Sequence, residues 1–298
     1  MSSSGSKPSV VFFGSGPVAA ESLRLLQKHC EIEAVVTKPA TVRDMAAIAQ
    51  NTCVHSVNTK AELDNLISSQ PFQSNLGILI DFGIIVSQKV IDSFEKGIIN
   101  SHFSLLPEWR GADPITFSIL SGQAKTGVSL MLIDKGMDTG KIITQKSLPV
   151  AADETAPSLT HKLIGLSDSL LIEYIPKYLN DEIKPRQQSH PDRATYSRKI
   201  AKADGMLDFT KPAEQLEREI RAFADWPKSR TQIAGKDIVI LKASVKKRTE
   251  AVQIGTIYKT EDKKIGIHCQ NGDLIIEVLK PAGKKAMTSQ AFLAGHQL

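Results

Sequence analysis

Three residues of this chain have the types and spacing for acyl-transfer chemistry: Asn100, His102 and Asp138. Asn100 and His102 lie two apart at the end of Gly97-Ile-Ile-Asn-Ser-His102, an apolar run that reads as a buried strand. Alternate strand positions face the same way, so an amide and an imidazole are presented side by side. Asp138 stands in Asp134-Lys-Gly-Met-Asp-Thr-Gly140, where glycines interleaved with two aspartates make a tight loop. Each residue also has a purely structural reading: Asn100 can cap a turn, His102 can be a satisfied structural histidine, and the aspartate loop can be a solvated turn or a calcium-type fragment. The calcium reading fails because no glutamate follows at the required spacing. An amide donor, an imidazole and a carboxylate together suit transfer of an acyl group to an amine. The first two stabilise a tetrahedral oxyanion, and the carboxylate orients the nucleophile or accepts its proton.

Elements that could position such a set are legible upstream. Val10-Val-Phe-Phe13 is a short buried strand that stops at Gly14-Ser15-Gly16-Pro17 and leads into a helix with Val18, Leu23 and Leu26 on one side. The Gly14–Ala19 stretch matches GxGxxA, the dinucleotide fingerprint. The second strand, however, ends Val35-Val-Thr-Lys38, with no acidic residue to hold a ribose, so the motif reads as a tight turn near a ligand. Strands at Glu33–Thr37, Leu76–Ile80 and Gly97–Asn100 alternate with helical segments at Asp44–Gln50, Lys60–Ser68 and Ser87–Ser93. This alternation predicts a parallel sheet covered by helices on both faces, with Asn100 and His102 at a carboxyl end where such sheets bind ligands.

Two further strands, Gly127–Ile133 and Lys141–Leu148, flank the aspartate loop, and a long helix follows with Leu159, Leu163, Leu166, Leu170, Tyr174 and Tyr178 on one face. Arg186–Arg198 is almost devoid of apolar residues and reads as a linker. Beyond it, a helix carrying Leu216, Ile220 and Phe223 precedes strands at Thr231–Ile233, Ile238–Val245, Gly255–Tyr258, Ile265–Cys269 and Leu274–Leu279, with Asn271-Gly272 as a hairpin turn. Short strands packed this densely predict a small barrel of the OB type. The expected division is a flexible tail at 1–8, a catalytic domain at 9–185, a linker at 186–208 and a barrel at 209–298.

Composition narrows the functional class. Of 298 residues, 41% are hydrophobic and 23% charged, which excludes a disordered or collagen-like chain. No apolar stretch is long enough to span a bilayer, and the polar opening MSSSGSKPS lacks the core of a signal peptide, so a cytoplasmic protein that engages no membrane is expected. A monomer is the expected state, though nothing in the residues specifies it. Cys30, Cys53 and Cys269 are far apart with no CxxC pair, which predicts neither a disulfide framework nor a metal site. Of the net charge of +5, the chain from Lys199 onward holds more than the whole, with 18 Lys and Arg against 12 Asp and Glu. A basic half beside a neutral half fits contact with a polyanion or, more plainly, a solvated surface.

Asn100-x-His102-x-Ser104-Leu105-Leu106-Pro107-x-x-Arg110-Gly111-x-x-Pro114, followed by Asp134-x-Gly136-x-Asp138-Thr139-Gly140, closely resembles the signature of the 10-formyltetrahydrofolate-dependent formyltransferases. The likeness continues through Tyr196-Ser-Arg-Lys-Ile200, Trp226-Pro227, Lys242-Ala-Ser244 and Pro281–Met287, which are similar to the branch acting on initiator methionyl-tRNA. The resemblance implies a Rossmann-like formyltransferase domain, an OB-like domain that touches tRNA, and 10-formyltetrahydrofolate as formyl donor without a metal. It places Asn100, His102 and Asp138 in the catalytic positions. Ser104, Leu105, Leu106 and Pro107 then line the folate pocket, with Ile80, Asp81, Phe82 and Gly83 on its other side. Gly14, Ser15, Lys38, Arg43, Arg110, Lys246, Lys247, Arg248, Lys284 and Lys285 are the expected contacts to the tRNA substrate.

The chain departs from the pattern at Asp81, where a small apolar residue is usual. It departs again after the second strand, where only Lys38–Arg43 replaces a long basic loop. Rival readings are an amino-sugar-nucleotide formyltransferase, which needs no basic barrel, a glycinamide ribonucleotide transformylase, which lacks the second domain, and a non-catalytic nucleic-acid-binding protein, which has no use for the Asn, His and Asp set.

Overall fold

The computed structural model describes residues 7–298, and the first six residues of the expected tail lie outside the described residues. Pro8 is already tied down, its carbonyl accepting the Glu31 N–H at 2.9 Å. The chain forms two compact units. The first comprises residues up to Pro114, Lys125–Pro149 and Thr160–Ser197; the second comprises Ile115–Ala124, Val150–Leu159 and Arg198–Leu298.

In the first unit, β1 (Ser9–Gly14), α1 (Pro17–Leu26), β2 (Glu31–Thr37), α2 (Val42–Ile48), β3 (Cys53–Ser56), α3 (Lys60–Ser69), β4 (Gly77–Ile80), α4 (Gln88–Asp92) and β5 (Ile98–His102) alternate in sequence. Along the chain they are followed by the two-residue β6 (Arg110–Gly111), α5 (Pro114–Leu120), which beyond Pro114 belongs to the second unit, β7 (Lys125–Leu132), β8 (Ile142–Pro149), α6 (Ala156–Leu179), which joins the first unit from Thr160, and β9 (Tyr196–Ser197). The main sheet has the order β3-β2-β1-β4-β5-β7-β8. From β3 to β5 every pairing is parallel, and every residue of β5 is buried. Val11, Phe13, Ala34 and Val36 face Leu63, Ile67 and Val90 of the flanking helices in one cluster. On the other side α1 approaches so closely that a Cβ on Gly14 would lie 2.7 Å from that of Ala19 and 2.8 Å from the Ile80 carbonyl. Glycine at 14 is therefore required by helix–sheet packing.

The parallel sheet is extended at one edge by two strands whose direction the alternation did not specify: β7 runs antiparallel to β5 and β8 antiparallel to β7. The segment 133–141 between β7 and β8 is too short for the crossover that a parallel partner needs, so the chain turns straight back. In α6 the buried face is drawn by Leu159, Leu163, Ile164, Leu170, Leu171, Ile175 and Tyr178, with Leu166 and Tyr174 at its margin.

The second unit holds α7 (Ala213–Ala222), β10 (Ser229–Ile233), β11 (Lys236–Lys246), β12 (Ile257–Lys259), β13 (Ile265–His268), β14 (Asp273–Pro281), β15 (Met287–Thr288) and α8 (Ser289–Leu293). Its antiparallel sheet runs β10-β11-β14-β13-β12, with β15 on β14, in the manner of a small barrel. A register shift between Ile240 and Ala243 bends β11, as bulges do where sheets curl. Leu216 and Ile220 of α7 and Phe292 of α8 close the core over Ile240, Ile267, Leu274 and Leu279. At the Asn271-Gly272 hairpin only Gly272 takes a positive φ, 83°.

The stretch expected as a linker is built into the first unit as far as Ser197. Arg186 and Ile142 exchange backbone hydrogen bonds of 2.8 and 2.7 Å, and β9 pairs in parallel with β6. A polar segment that hydrogen-bonds to loops has the same composition as one that only meets water, which is why the sequence reads it as a tether.

Candidate active site

Register places both β5 side chains at the carboxyl end of the sheet: Asn100 lies opposite Met131 and His102 opposite Ser129. The His102 Nε2 is 2.9 Å from the Trp109 carbonyl, which can only accept, so Nε2 carries a hydrogen. The other ring nitrogen, Nδ1, is then turned toward Asp138, 3.8 Å from its Oδ2. Asn100 Nδ2 donates to Asp138 Oδ1 at 3.3 Å, and the Gly111 N–H donates to Oδ2 at 2.8 Å. The three expected residues therefore converge. Asn100 is 9% exposed and His102 6%, so hydrogen bonds made here act with little competition from water. Asp138 sits at φ 52°, a left-handed position that aspartate tolerates better than most residues.

The loop after β5 is held from two directions. Thr195 and Ser197 line its outer side: Trp109 N–H donates to Thr195 Oγ1 at 2.8 Å, and Arg110 N–H to the Thr195 carbonyl at 2.9 Å. On the inner side, Arg110 is 6% exposed and its Nη2 donates to Gln188 Oε1 at 2.7 Å. Gln188 Nε2 donates in turn to the carbonyls of Asp138, at 2.7 Å, and Gly140, at 3.0 Å.

The expected folate segment is anchored by its backbone. Ser129 Oγ donates to the Ser104 carbonyl at 2.6 Å and accepts the Leu106 N–H at 3.0 Å, while Gln145 Nε2 donates to the Leu106 carbonyl at 2.9 Å. The peptide bond between Leu106 and Pro107 is cis. Ser104 and Leu106 are buried, and Leu105 and Pro107 are half-buried. Across the sheet end, Ile80 and Phe82 are core side chains, Phe82 packing edge-to-face on Phe13 at 5.7 Å, so these two offer a ligand their backbone rather than their side chains. Gly83 makes room for Lys38, whose Nζ would lie 2.6 Å from any Cβ placed there. Asp81 is exposed, yet its carboxyl is poorly solvated. Desolvation first, then the neighbouring Asp113 charge, push its pKa up to about 6 against the opposing pull of Lys38.

Gly14 and Ser15 stand at the same sheet edge. Ser15 Oγ accepts the Lys38 N–H at 3.0 Å and lies 3.3 Å from Thr37 Oγ1, which fixes the end of β1 to that of β2. Arg43 is exposed in α2, which begins directly after Thr41, so no long loop intervenes.

Two of the basic residues expected at the tRNA surface are placed elsewhere. Arg110 is buried on Gln188, as above. Arg248 is consumed within the barrel: it is paired with Asp273 and donates to the Gly272 and Cys269 carbonyls at 3.2 and 2.8 Å. Tyr258 completes that cluster by donating to Asp273 at 2.7 Å. Lys246, Lys247, Lys284 and Lys285 are exposed. A guanidinium that satisfies buried acceptors is indistinguishable in sequence from one aimed at solvent.

Residues that the sequence did not single out are Gln188, Ser129, Gln145 and Thr195, together with the Gly111 N–H and the Trp109 carbonyl. Only the last two had a signal, being inside the Asn100–Pro114 motif. Among the described residues no group of three His, Cys, Asp or Glu side chains is placed to hold a metal, and no helix is long and apolar enough to cross a membrane.

Comparison with known proteins agrees with this geometry. Residues 9–175 match the formyl transferase family model, and residues 199–297 match that of the formyl transferase C-terminal domain. The methionyl-tRNA formyltransferase of Myxococcus xanthus is 34% identical, over 98% of this chain and 96% of its own. That of Halorhodospira halophila is 38% identical over 75% of this chain and 72% of its own. Among solved structures, an N-formyltransferase of Helicobacter canadensis in complex with folinic acid and dTDP-3-aminofucose superposes with a TM-score of 0.66, covering 91% of this chain and 99% of its own at 20% identity, a likeness of fold. With both of its halves matched and the Myxococcus xanthus relative aligned nearly end to end, the chain belongs to the formyl transferase family, among the methionyl-tRNA formyltransferases.

Proposed function

We propose that this protein transfers the formyl group of 10-formyltetrahydrofolate to the α-amine of methionine carried on initiator tRNA. The observation that supports the reading is the convergence of the Asn100 amide, the His102 imidazole and the Asp138 carboxylate, all largely shielded from solvent, in a formyl transferase fold. In this reading the donor is held between the Ser104–Pro107 segment, stiffened by Ser129 and Gln145, and the backbone of Ile80–Gly83. It supplies an activated formyl carbon. The Asn100 amide and a protonated His102, its Nε2–H kept on the Trp109 carbonyl, donate to the oxygen of that carbon as it becomes an oxyanion. Asp138, oriented by the Gly111 N–H, faces the attacking amine and takes up the proton it loses. Collapse of the tetrahedral oxyanion then breaks the bond between the formyl carbon and N10 of the donor, and tetrahydrofolate departs as that nitrogen takes a proton back from Asp138. Exposed Lys246, Lys247, Lys284 and Lys285 supply the nucleic-acid surface of the second unit, with Lys38 and Arg43 near the sheet edge.

The test is formylation with 10-formyltetrahydrofolate and either charged initiator tRNA or amino-sugar nucleotides as acceptor. Turnover confined to the tRNA supports the reading. Turnover confined to the sugar would replace it with the amino-sugar activity.

A further inference from the structure

We propose that Gln188 is a positioning residue for Asp138, so that the segment leading out of the first unit completes the active site. The proposal rests on the catalytic role assigned to Asp138 above. Gln188 is only 7% exposed, and every polar end of its side chain is used. One NH2 group bridges the Asp138 and Gly140 carbonyls at 2.7 and 3.0 Å, while the amide oxygen accepts from Arg110 at 2.7 Å.

Two carbonyls that converge on one donor repel each other when the donor is removed, and here they belong to a turn already held in a costly conformation. Asp138 is at φ 52°, and Gly140 is so close to β7 that a Cβ would lie 1.7 Å from the Leu132 carbonyl. The bonds also close a ring. Arg110 precedes Gly111, whose N–H holds Asp138 Oδ2, and the Asp138 carbonyl returns to Gln188. Fixing the backbone of Asp138 on one side and its carboxylate on the other leaves that carboxylate one direction to point, toward Asn100 and His102. The clamp itself is fixed: Arg186, two residues earlier, exchanges both of its backbone hydrogen bonds with Ile142.

Gln188→Glu keeps the size of the side chain and the acceptor for Arg110 while replacing the bridging donor by an oxygen. Its kcat should fall by about 30- to 100-fold, the loss expected when a reacting group is misplaced by roughly 1 Å, while the KM for the formyl donor stays within about threefold. Gln188→Met, which removes the polar ends without adding charge, should behave alike. The cycle with Asp138→Ala separates positioning from general damage, because groups acting as one unit are non-additive. In that background Gln188→Glu should cost less than about twofold in residual turnover. Hydrogen exchange at the Gly111 amide should be faster in Gln188→Glu than in the parent protein.

A kcat within threefold of the parent in both Gln188 variants overturns the proposal, as does a loss that is fully retained in the Asp138→Ala background. An Asp138→Ala protein with near-normal turnover would instead overturn the role of Asp138, and the two failures are distinguishable from that single variant.

Discussion

Replacing Asp138 by Asn preserves the shape of the side chain while leaving one oxygen where there were two. In the parent protein Oδ2 takes the Gly111 N–H at 2.8 Å and Oδ1 the Asn100 amide at 3.3 Å, so an asparagine must turn its NH2 toward one of those donors. The shorter backbone bond wins the oxygen, and the Asn100 amide is left facing another donor inside a pocket with little water. One unpartnered buried donor costs about 1–3 kcal/mol, part of which Asn100 recovers by rotating. The greater loss is chemical, because an amide cannot take the proton of the attacking amine. Removal of a positioned acid–base group lowers rate by about 10²–10⁴, or roughly 3–5 kcal/mol of barrier. Single-turnover formylation at saturating donor and charged tRNA should therefore slow at least a hundredfold, with the affinity for the donor little changed. A rate within fivefold of the parent, or a slowdown abolished by raising the donor concentration, would refute the assignment.

The barrel offers a paired test: Arg248→Ala removes the cation paired with the buried Asp273 carboxylate, leaving it only Tyr258 and His268, and should destabilise the second unit by about 1–3 kcal/mol in urea denaturation. Changing Lys246, Lys247, Lys284 and Lys285 together to Gln should leave the unfolding midpoint unchanged and flatten the salt dependence of tRNA binding, by up to about 0.9 in log–log slope for each phosphate no longer neutralised. For Asp81 the folded-state pKa of about 6 lies above the ordinary carboxylate value of 3.8, chiefly through desolvation. Its charge therefore weakens the fold progressively as pH rises between those values. Asp81→Asn should raise the melting temperature at pH 7.5 and leave it unchanged near pH 3.5; an equal gain at both would show that the effect is not electrostatic.

The convergence of the proposed catalytic triplet was legible because its chemistry is carried by side chains at strand and loop spacings, and because β5 is apolar enough to announce itself. β3 was missed: Cys53-Val-His-Ser is short, has one strong strand former and is paired only along the sheet edge. The direction of β7 was illegible for a different reason, since periodicity reports which face of a strand is buried and says nothing of the path that returns the chain. Gln188 and Arg248 went unread because their roles are defined by long-range partners, Asp138 fifty positions away and Asp273 across the barrel, while their neighbours in sequence are polar and uninformative. Phe82 shows the converse difficulty, a residue expected to line the ligand site whose ring is turned inward to Phe13.

The incorporation of Arg186–Ser197 into the first unit bears on how this protein can be recombined. A chimaera joined after Pro185 would draw the completing residues of the active site from the foreign parent, and its catalytic half would inherit a turn without its matched clamp. A breakpoint after Ser197 keeps Asp138, Arg110 and Gln188 of common descent. Even that seam does not free the second unit, because Ile115–Ala124 and Val150–Leu159 pack with it yet are encoded upstream. The two halves are separate as compact bodies but interleaved as genetic text, so exchange of either one is a problem of several junctions, not one.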